Sequence, residues 1–516
     1  MNRFSPCIVV FLALGIAAPV SAAPDNGERH IQAIVQNFSG RDADVQEFYR
    51  DREFAPAWSA DNASILVSAL ERAAAEGLNP KDYLLNPGQD ADTRDVTLTR
   101  LALHYVEDVR NGRPGLRAMD DDVALPALPY DTSVALAGAL KNHALAGFLA
   151  SAPPSSPQYA KLKLALAWYQ AIRDRGGWPL IPADIADSVG ENGPAAATLR
   201  ERLRFEDSTI FADGSAGISA ALKRFQLRHG LSPDGVLGQR TRSELNVTAQ
   251  ARVEQIVANM ERWRWLPRTF EPNYIAVNVP DATLSLVLNG SEVLRSRVVV
   301  GKPKTPTPIL RAEGGGITVN PPWNVPTSIA RKEILPRLKS NPSYLRSQDM
   351  VLLNGPAGDP YGLHVRWRDI PAGTFPYLIQ QHPGLKNSLG TIKLELPNRF
   401  DVFLHDTPSK HAFAFSARDV SHGCVRVERI LPLASYILNE NLDAMMKIAD
   451  AVSTGETRYF PFQRRIPVYF LYWTVFANPE GTLQFRPDVY GRDSRMGAIL
   501  SQPMRISGDF PNCGRG

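Results

Sequence analysis

Covalent stapling, a membrane-spanning segment and a polyanionic partner all find little support in this chain of 516 residues. Three cysteines cannot build a disulfide scaffold, so burial has to hold the fold together. The longest apolar run, Ile8 to Ala18, is eleven residues, well short of the ~20 that a spanning helix needs. Lys and Arg total 57 against 53 Asp and Glu, and a net charge of +4 is too small at this length to make nucleic acid the expected partner. Charged residues at 21% beside hydrophobic residues at 44% exclude wholesale disorder. Only glycine and proline are in mild excess, 37 and 41, which fits many turns.

What is present begins with an export signal. Arg3, the Ile8–Ala18 run and the small residues Val20-Ser21-Ala22 read as a secretory signal over residues 1–22. A protein exported from the cytoplasm is therefore expected, with retention as an N-terminal membrane anchor the alternative. Residues 23–205 have mostly helical period. Ile65, Leu66, Ala69, Leu70 and Ala73 share a face, and Gly77 sits where a C-cap belongs. Leu101–Val109 and Leu162–Ile172 repeat the pattern, and with no catalytic constellation the region reads as a helical scaffold. Residues 206–248 form a compact helical unit around the turn Asp234-Gly235, and 249–271 read as a linking helix. From 272 to 500 the period turns to two. Tyr274–Val279, Thr283–Leu288, Val293–Val300, Gly316–Val319, Leu389–Leu396, Val402–Leu404, Val468–Phe476 and Leu483–Phe485 read as strands, with Asn289-Gly290 a hairpin turn. Lys302–Pro308 reads as a rigid extended connector. Residues 321–383, rich in proline and aromatics, read either as a lid or as a loop packed on the domain, and 501–516 as a tail. The fold class expected is multidomain α+β, a helical front followed by a β-rich domain with a lid insertion.

Chemistry concentrates in FLHDTPSKHAFAFSARDVSHGCVRVE, residues 403–428, which holds His405, His411 and His422 with Cys424. A free thiol is mostly protonated at neutral pH, so a nucleophilic cysteine needs a base or a positive field beside it. His405 ends an apolar strand where it would be held rigidly, and it is the base expected to ionise Cys424. Gly423 lets backbone N–H groups approach a substrate oxygen. Three other readings stay open on residues alone: a buried structural cysteine, a zinc site from His405, His422 and Cys424, and a Cys424–Cys513 disulfide. Lys410, Arg418 and Arg426 are cations in the same stretch, Lys410 most simply a solvated surface charge.

The pair HDTP and SHGCVRV resembles the catalytic signature of the L,D-transpeptidases, whose catalytic domain is β-sandwich-like. The resemblance spans about Pro272 to Ala451. LKRFQLRHGLSPDGVLGQRTRSELN resembles the three-helix peptidoglycan-binding module, which inside enzymes can serve only as a spacer. The helical front, the insertion and the tail YFLYWTVF…GTLQFRPDVYGRD also look like the larger Gram-negative members of the family. Several roles are implied by that resemblance. Cys424 would be the nucleophile, His405 the general base and acid, and the Gly423 and Cys424 amides the oxyanion donors. Arg426, His422, Ser421 and Arg418 would border the substrate, with Gln381–Lys393 lining the groove. Phe403 departs from a Tyr that large relatives often carry there. The implied activity is 3→3 crosslinking of diaminopimelate residues in peptidoglycan tetrapeptide stems through a cysteine thioester. It needs no cofactor and no metal, serves cell-wall organisation and cell shape, and makes the protein a carbapenem target with other cell-wall synthesis proteins as further partners. Alternatives are the same thioester passed to water, a D-amino acid or a protein, or a non-catalytic wall-binding protein.

Overall fold

The structure, a computed structural model, describes residues 26–207, 217–438, 442–500 and 502; the signal-like segment and Cys513 lie outside them. Among the described residues no helix is long and apolar enough to cross a membrane. The chain is multidomain α+β, with a helical front, a small helical module and a β-rich domain.

Packing divides the 23–205 stretch, expected to be one scaffold, among three cores. Helices from Asn26–Val35 to Leu145–Ser151 close a core of their own around Phe48, Tyr49, Leu66 and Val106. The helix Ala60–Glu71 is capped by Ser59 and leaves through a 3₁₀ turn ending at Gly77, φ 71°; of the expected apolar face Leu66, Leu70 and Ala73 are buried, whereas Ile65 is exposed. Helix Pro157–Asp174 goes elsewhere. Its buried stripe Tyr159, Leu162, Leu166, Tyr169 and Ile172 recurs at helical spacing and packs on the core of the β domain beside helix Ala249–Arg264. That second helix, expected to be a linker, is buried along most of its length. Helix Pro194–Arg204 joins Ile218–Arg228 and Gln239–Leu245 in the module's core.

The β domain is a ten-stranded sheet that closes on itself. Its strands of interest are β1 (Tyr274–Asn278), β2 (Thr283–Leu288), β3 (Ser291–Gly301), β4 (Ile309–Val319), β5 (Ile392–Glu395), β6 (Leu404–His405), β7 (Asp419–Ser421), β8 (Val425–Val427) and β9 (Arg458–Leu471). The order runs β4-β9-β1-β2-β3-β8-β6-β5, and β5 pairs back onto β4 through Gly316↔Glu395 to Val319↔Ile392. Closure removes the open edges that would otherwise invite pairing with another chain. The β2–β3 hairpin turns at Asn289 and Gly290, both at positive φ (51° and 77°), which is what a two-residue turn matched to strand twist requires. Alternate residues such as Leu284, Leu286, Val298 and Val300 fill the interior. Two expectations change. The run read as Val468–Phe476 is two strands, β9 and Val475–Ala477, and Lys302–Pro308 opens with a turn, Thr305 N–H donating to Lys302 C=O at 2.8 Å.

The insertion after β4 is a small folded unit. Strands Trp323–Asn324, Met350–Leu352 and Ile379–Gln381 form their own sheet, over a core of Leu335, Leu338, Leu345 and the fully buried Trp367.

Candidate active site

β6 is only two residues long, yet it fixes the geometry. It pairs antiparallel with β5 (His405↔Lys393) and parallel with β8 (His405↔Arg426). Cross-strand partners share a face, so Lys393, His405 and Arg426 project together. Val425 N–H donates to Phe403 C=O at 3.0 Å, which brings Cys424 level with Phe403, two residues along that same face. Leu404, Val425 and Val427 point the other way into the core, all fully buried. The Phe403 ring meets the His405 ring edge-on at 5.6 Å, and Lys393 Nζ stands 4.4 Å from its centroid.

His405 is 5% exposed, and its Nδ1 has no hydrogen-bond partner among the described residues. Burial, reinforced by the Arg426 guanidinium, pushes its pKa down to about 4. Burial also pushes the Cys424 thiol up, against the opposing pull of the Phe403 backbone and of Lys393. The resting pair at neutral pH is therefore thiol and neutral imidazole. That corrects the expected ionised sulfur: both groups lie where a charge is poorly solvated. Cys424 is a free thiol whose Sγ faces the Asp401 carbonyl at 3.6 Å, and no hydrogen bond joins it to His405 among the described residues.

The loop before β8 is braced from within. Gly423 takes φ +115°, which a side chain would strain. Its N–H donates to Ser421 Oγ at 3.1 Å, and that hydroxyl donates to Cys424 C=O at 2.6 Å. Ser421, 2% exposed, thus braces the loop, and the Gly423 amide, expected to face an oxyanion, is engaged by its hydroxyl. Cys424 N–H makes no hydrogen bond among the described residues. Arg418 also departs from its expected place. Its guanidinium donates to the carbonyls of Val298, Phe415, Asp281 and Ala282 at 2.8–3.3 Å and ties β7 to β3. Lys410 pairs with Asp406, whose carboxylate also accepts from the Thr391 N–H and hydroxyl at 3.0 Å each. His422 turns away from Cys424: its Nε2 lies 2.5 Å from Glu333 of the insertion and 3.3 Å from Lys302, so it latches the insertion to the loop. A metal set of His405, His422 and Cys424 would need His422 to give up that partner. Arg426 stays half-buried, and its guanidinium makes neither hydrogen bond nor ion pair among the described residues.

Residues 272–459 match the L,D-transpeptidase catalytic domain. Residues 43–166 match a scaffold domain, and 194–245 a domain described as "Putative peptidoglycan binding domain". A Haemophilus influenzae protein named "Putative L,D-transpeptidase" is 30% identical over 256 residues, half of each chain, so the match spans about half of that relative's length. Among solved structures, an L,D-transpeptidase from Mycobacterium smegmatis is 12% identical, with 39% of this chain and 58% of that one covered and a TM-score of 0.18. An L,D-transpeptidase in complex with imipenem is 14% identical, with 39% and 59% covered and the same TM-score.

Around the transpeptidase domain, the helical module is fixed by its own motif. Gln226, 1% exposed, reaches Asp234 Oδ1, Val236 C=O and Thr241 Oγ1 at 2.7–3.0 Å and accepts from Gly235 N–H at 2.8 Å. The F-Q…D-G…T pattern is a folding key. His229 stacks between Phe225 and Phe485, at 4.0 and 5.2 Å, fastening the module to strand Leu483–Phe485. Sequence reasoning missed Asp401, Glu333, Thr307 and Tyr490. The TPTP run signalled Thr307 only as connector, and Tyr490 stands in the family-like tail RPDVYGRD with nothing in the sequence to assign it a role.

Proposed function

We propose that this protein is an exported cysteine L,D-transpeptidase that forms 3→3 crosslinks between peptidoglycan stem peptides. The observation that carries the reading is the face shared by His405, Cys424 and Arg426, with a neutral base and an open thiol. The Cys424 thiol swings from the Asp401 carbonyl and loses its proton to His405 as Sγ attacks the carbonyl of the third residue, diaminopimelate, of a tetrapeptide stem. A neutral imidazole is the form that can take that proton, and burial keeps it neutral across physiological pH. The tetrahedral oxyanion leans on the Cys424 N–H. The C–N bond to the terminal D-Ala then breaks, with the amine leaving protonated by His405, and a thioester remains on Sγ. A side-chain amine of a second stem attacks it, His405 takes the amine proton, and the crosslink leaves as the thiol is restored. The thioester retains the reactivity of the cleaved peptide bond, so no nucleotide is consumed, as suits the periplasm. Arg426 is the cation free to hold a stem carboxylate. The latch His422–Glu333 holds the insertion against the loop that carries Cys424.

The test is intact mass after incubation with a tetrapeptide muropeptide or a carbapenem. An adduct on the wild type that is absent from Cys424→Ala is expected, with unchanged circular dichroism. A wild type that stays unmodified, or a Cys424→Ala variant that still crosslinks, removes the reading. Product masses identify the acceptor, since transfer to water yields the free tripeptide.

A further inference from the structure

The loop that carries Cys424 is held from behind by a residue outside the signature. Thr307, fully buried, donates its hydroxyl proton to Gly423 C=O at 2.7 Å and accepts from Gly301 N–H at 2.9 Å. Tyr490, on the segment after Phe485, donates to Gly301 C=O at 2.5 Å and accepts from Thr307 N–H at 3.2 Å. The end of β3, the connector and the C-terminal segment thus close a hydrogen-bonded ring that grips the Gly423 carbonyl, while Lys302 N–H and the Thr305 hydroxyl of the same connector donate to Ser421 C=O at 3.0 and 3.2 Å.

That carbonyl belongs to the peptide unit whose other end is the Cys424 N–H. A trans peptide is planar with C=O and N–H antiparallel, so fixing the oxygen fixes the direction of the hydrogen. Both neighbouring groups are occupied: Gly423 N–H by Ser421 Oγ, and Cys424 C=O by the Ser421 hydroxyl. Gly423, at φ +115°, has the backbone freedom that lets the 423–424 peptide turn if released. We propose that Thr307 is a positioning residue for acyl transfer: its hydroxyl, steadied by Tyr490, aims the Cys424 amide at the developing oxyanion. The inference rests on the acyl-transfer reading and adds a residue 116 positions before Gly423 to its machinery.

Two reactions of the same sulfur separate this role from a merely structural one. Carbapenem acylation passes through an oxyanion; alkylation by iodoacetamide does not. Removing an oxyanion donor outright costs ~10²–10³ in comparable sites, so a misaimed one should cost about 10–100-fold. Thr307→Val should slow acylation by that factor and change the alkylation rate less than about twofold. Thr307→Ser should restore acylation. Tyr490→Phe should show the same selective loss, smaller, and serves if the valine variant does not fold. Equal slowing of both reactions, or no change in either, overturns the positioning role. Absence of acylation in the wild type overturns the underlying reading instead, which keeps the two failures apart.

Discussion

The helical module and the catalytic loop each present a short glycine-containing motif, but their polar groups end in opposite conditions. Around Gln226 the account closes: the amide reaches the side chains of Asp234 and Thr241 and the backbone on both sides of the Asp234-Gly235 turn. Around Cys424 three groups stay open among the described residues, namely His405 Nδ1, the Cys424 N–H and the Arg426 guanidinium. A buried polar group without a partner costs about 1–3 kcal/mol, which applies to His405 Nδ1, while the Cys424 N–H and the Arg426 guanidinium belong to half-buried residues on the same face. A closed motif builds a fold; an open one does chemistry. The contrast can be broken by experiment.

The largest effect should come from His405. General-base catalysis contributes roughly 10²–10⁴-fold, so His405→Gln should lower carbapenem acylation by about that factor with the fold retained. The same residue predicts a pH signature. Its folded-state pKa is held near 4 by burial and by Arg426, below the ordinary 6.5, so the folded protein refuses a proton that the unfolded chain accepts. Its contribution is full above pH 6.5 and is lost as pH falls toward 4. Urea titrations should show stability declining over that window in the wild type and a shallower decline in His405→Gln. Identical slopes would place the imidazole in water.

Gln226→Ala should act on the other side of the comparison. It leaves Gly235 N–H and Thr241 without their partner, at a cost of about 2–4 kcal/mol in thermal or denaturant unfolding. The carbapenem acylation rate per folded molecule should stay within about twofold. A loss of acylation without a loss of stability would mean that the module's motif serves the site directly.

Legibility followed the same division. Helices and strands with a clean period were readable, as were the Asn289-Gly290 turn and the cysteine–histidine pair, because each is set by nearby residues. Where one helix packs against another is set by tertiary contact, so Pro157–Asp174 and Ala249–Arg264 were placed in a scaffold and a linker but lie on the β domain. The cations were the hardest. Arg418, Lys410 and Arg426 look alike in a sequence, and only the structure shows that four carbonyls hold the first, Asp406 holds the second, and the third is open. Ser421 and Gly423 were likewise read as facing substrate, although they complete each other's hydrogen bonds.

The smallest predicted effect is the most discriminating for that last distinction. Arg426 lies on the face of His405 and Cys424 and acts on both: its charge lowers the imidazole pKa and favours the thiolate. If it also holds a stem carboxylate, Arg426→Met should raise KM for a tetrapeptide donor by about tenfold, the worth of one exposed-to-half-buried charged hydrogen bond, while kcat falls by threefold or less. Loss of the positive charge should at the same time let the His405 pKa rise, moving the acid limb of the rate profile toward neutral pH. The same change at Arg418 should leave KM and the acid limb alone and appear in stability, because its hydrogens already serve backbone carbonyls. A KM effect without a movement of the acid limb would place the carboxylate contact away from the imidazole. Movement of the limb alone would make Arg426 an electrostatic neighbour that substrate never touches.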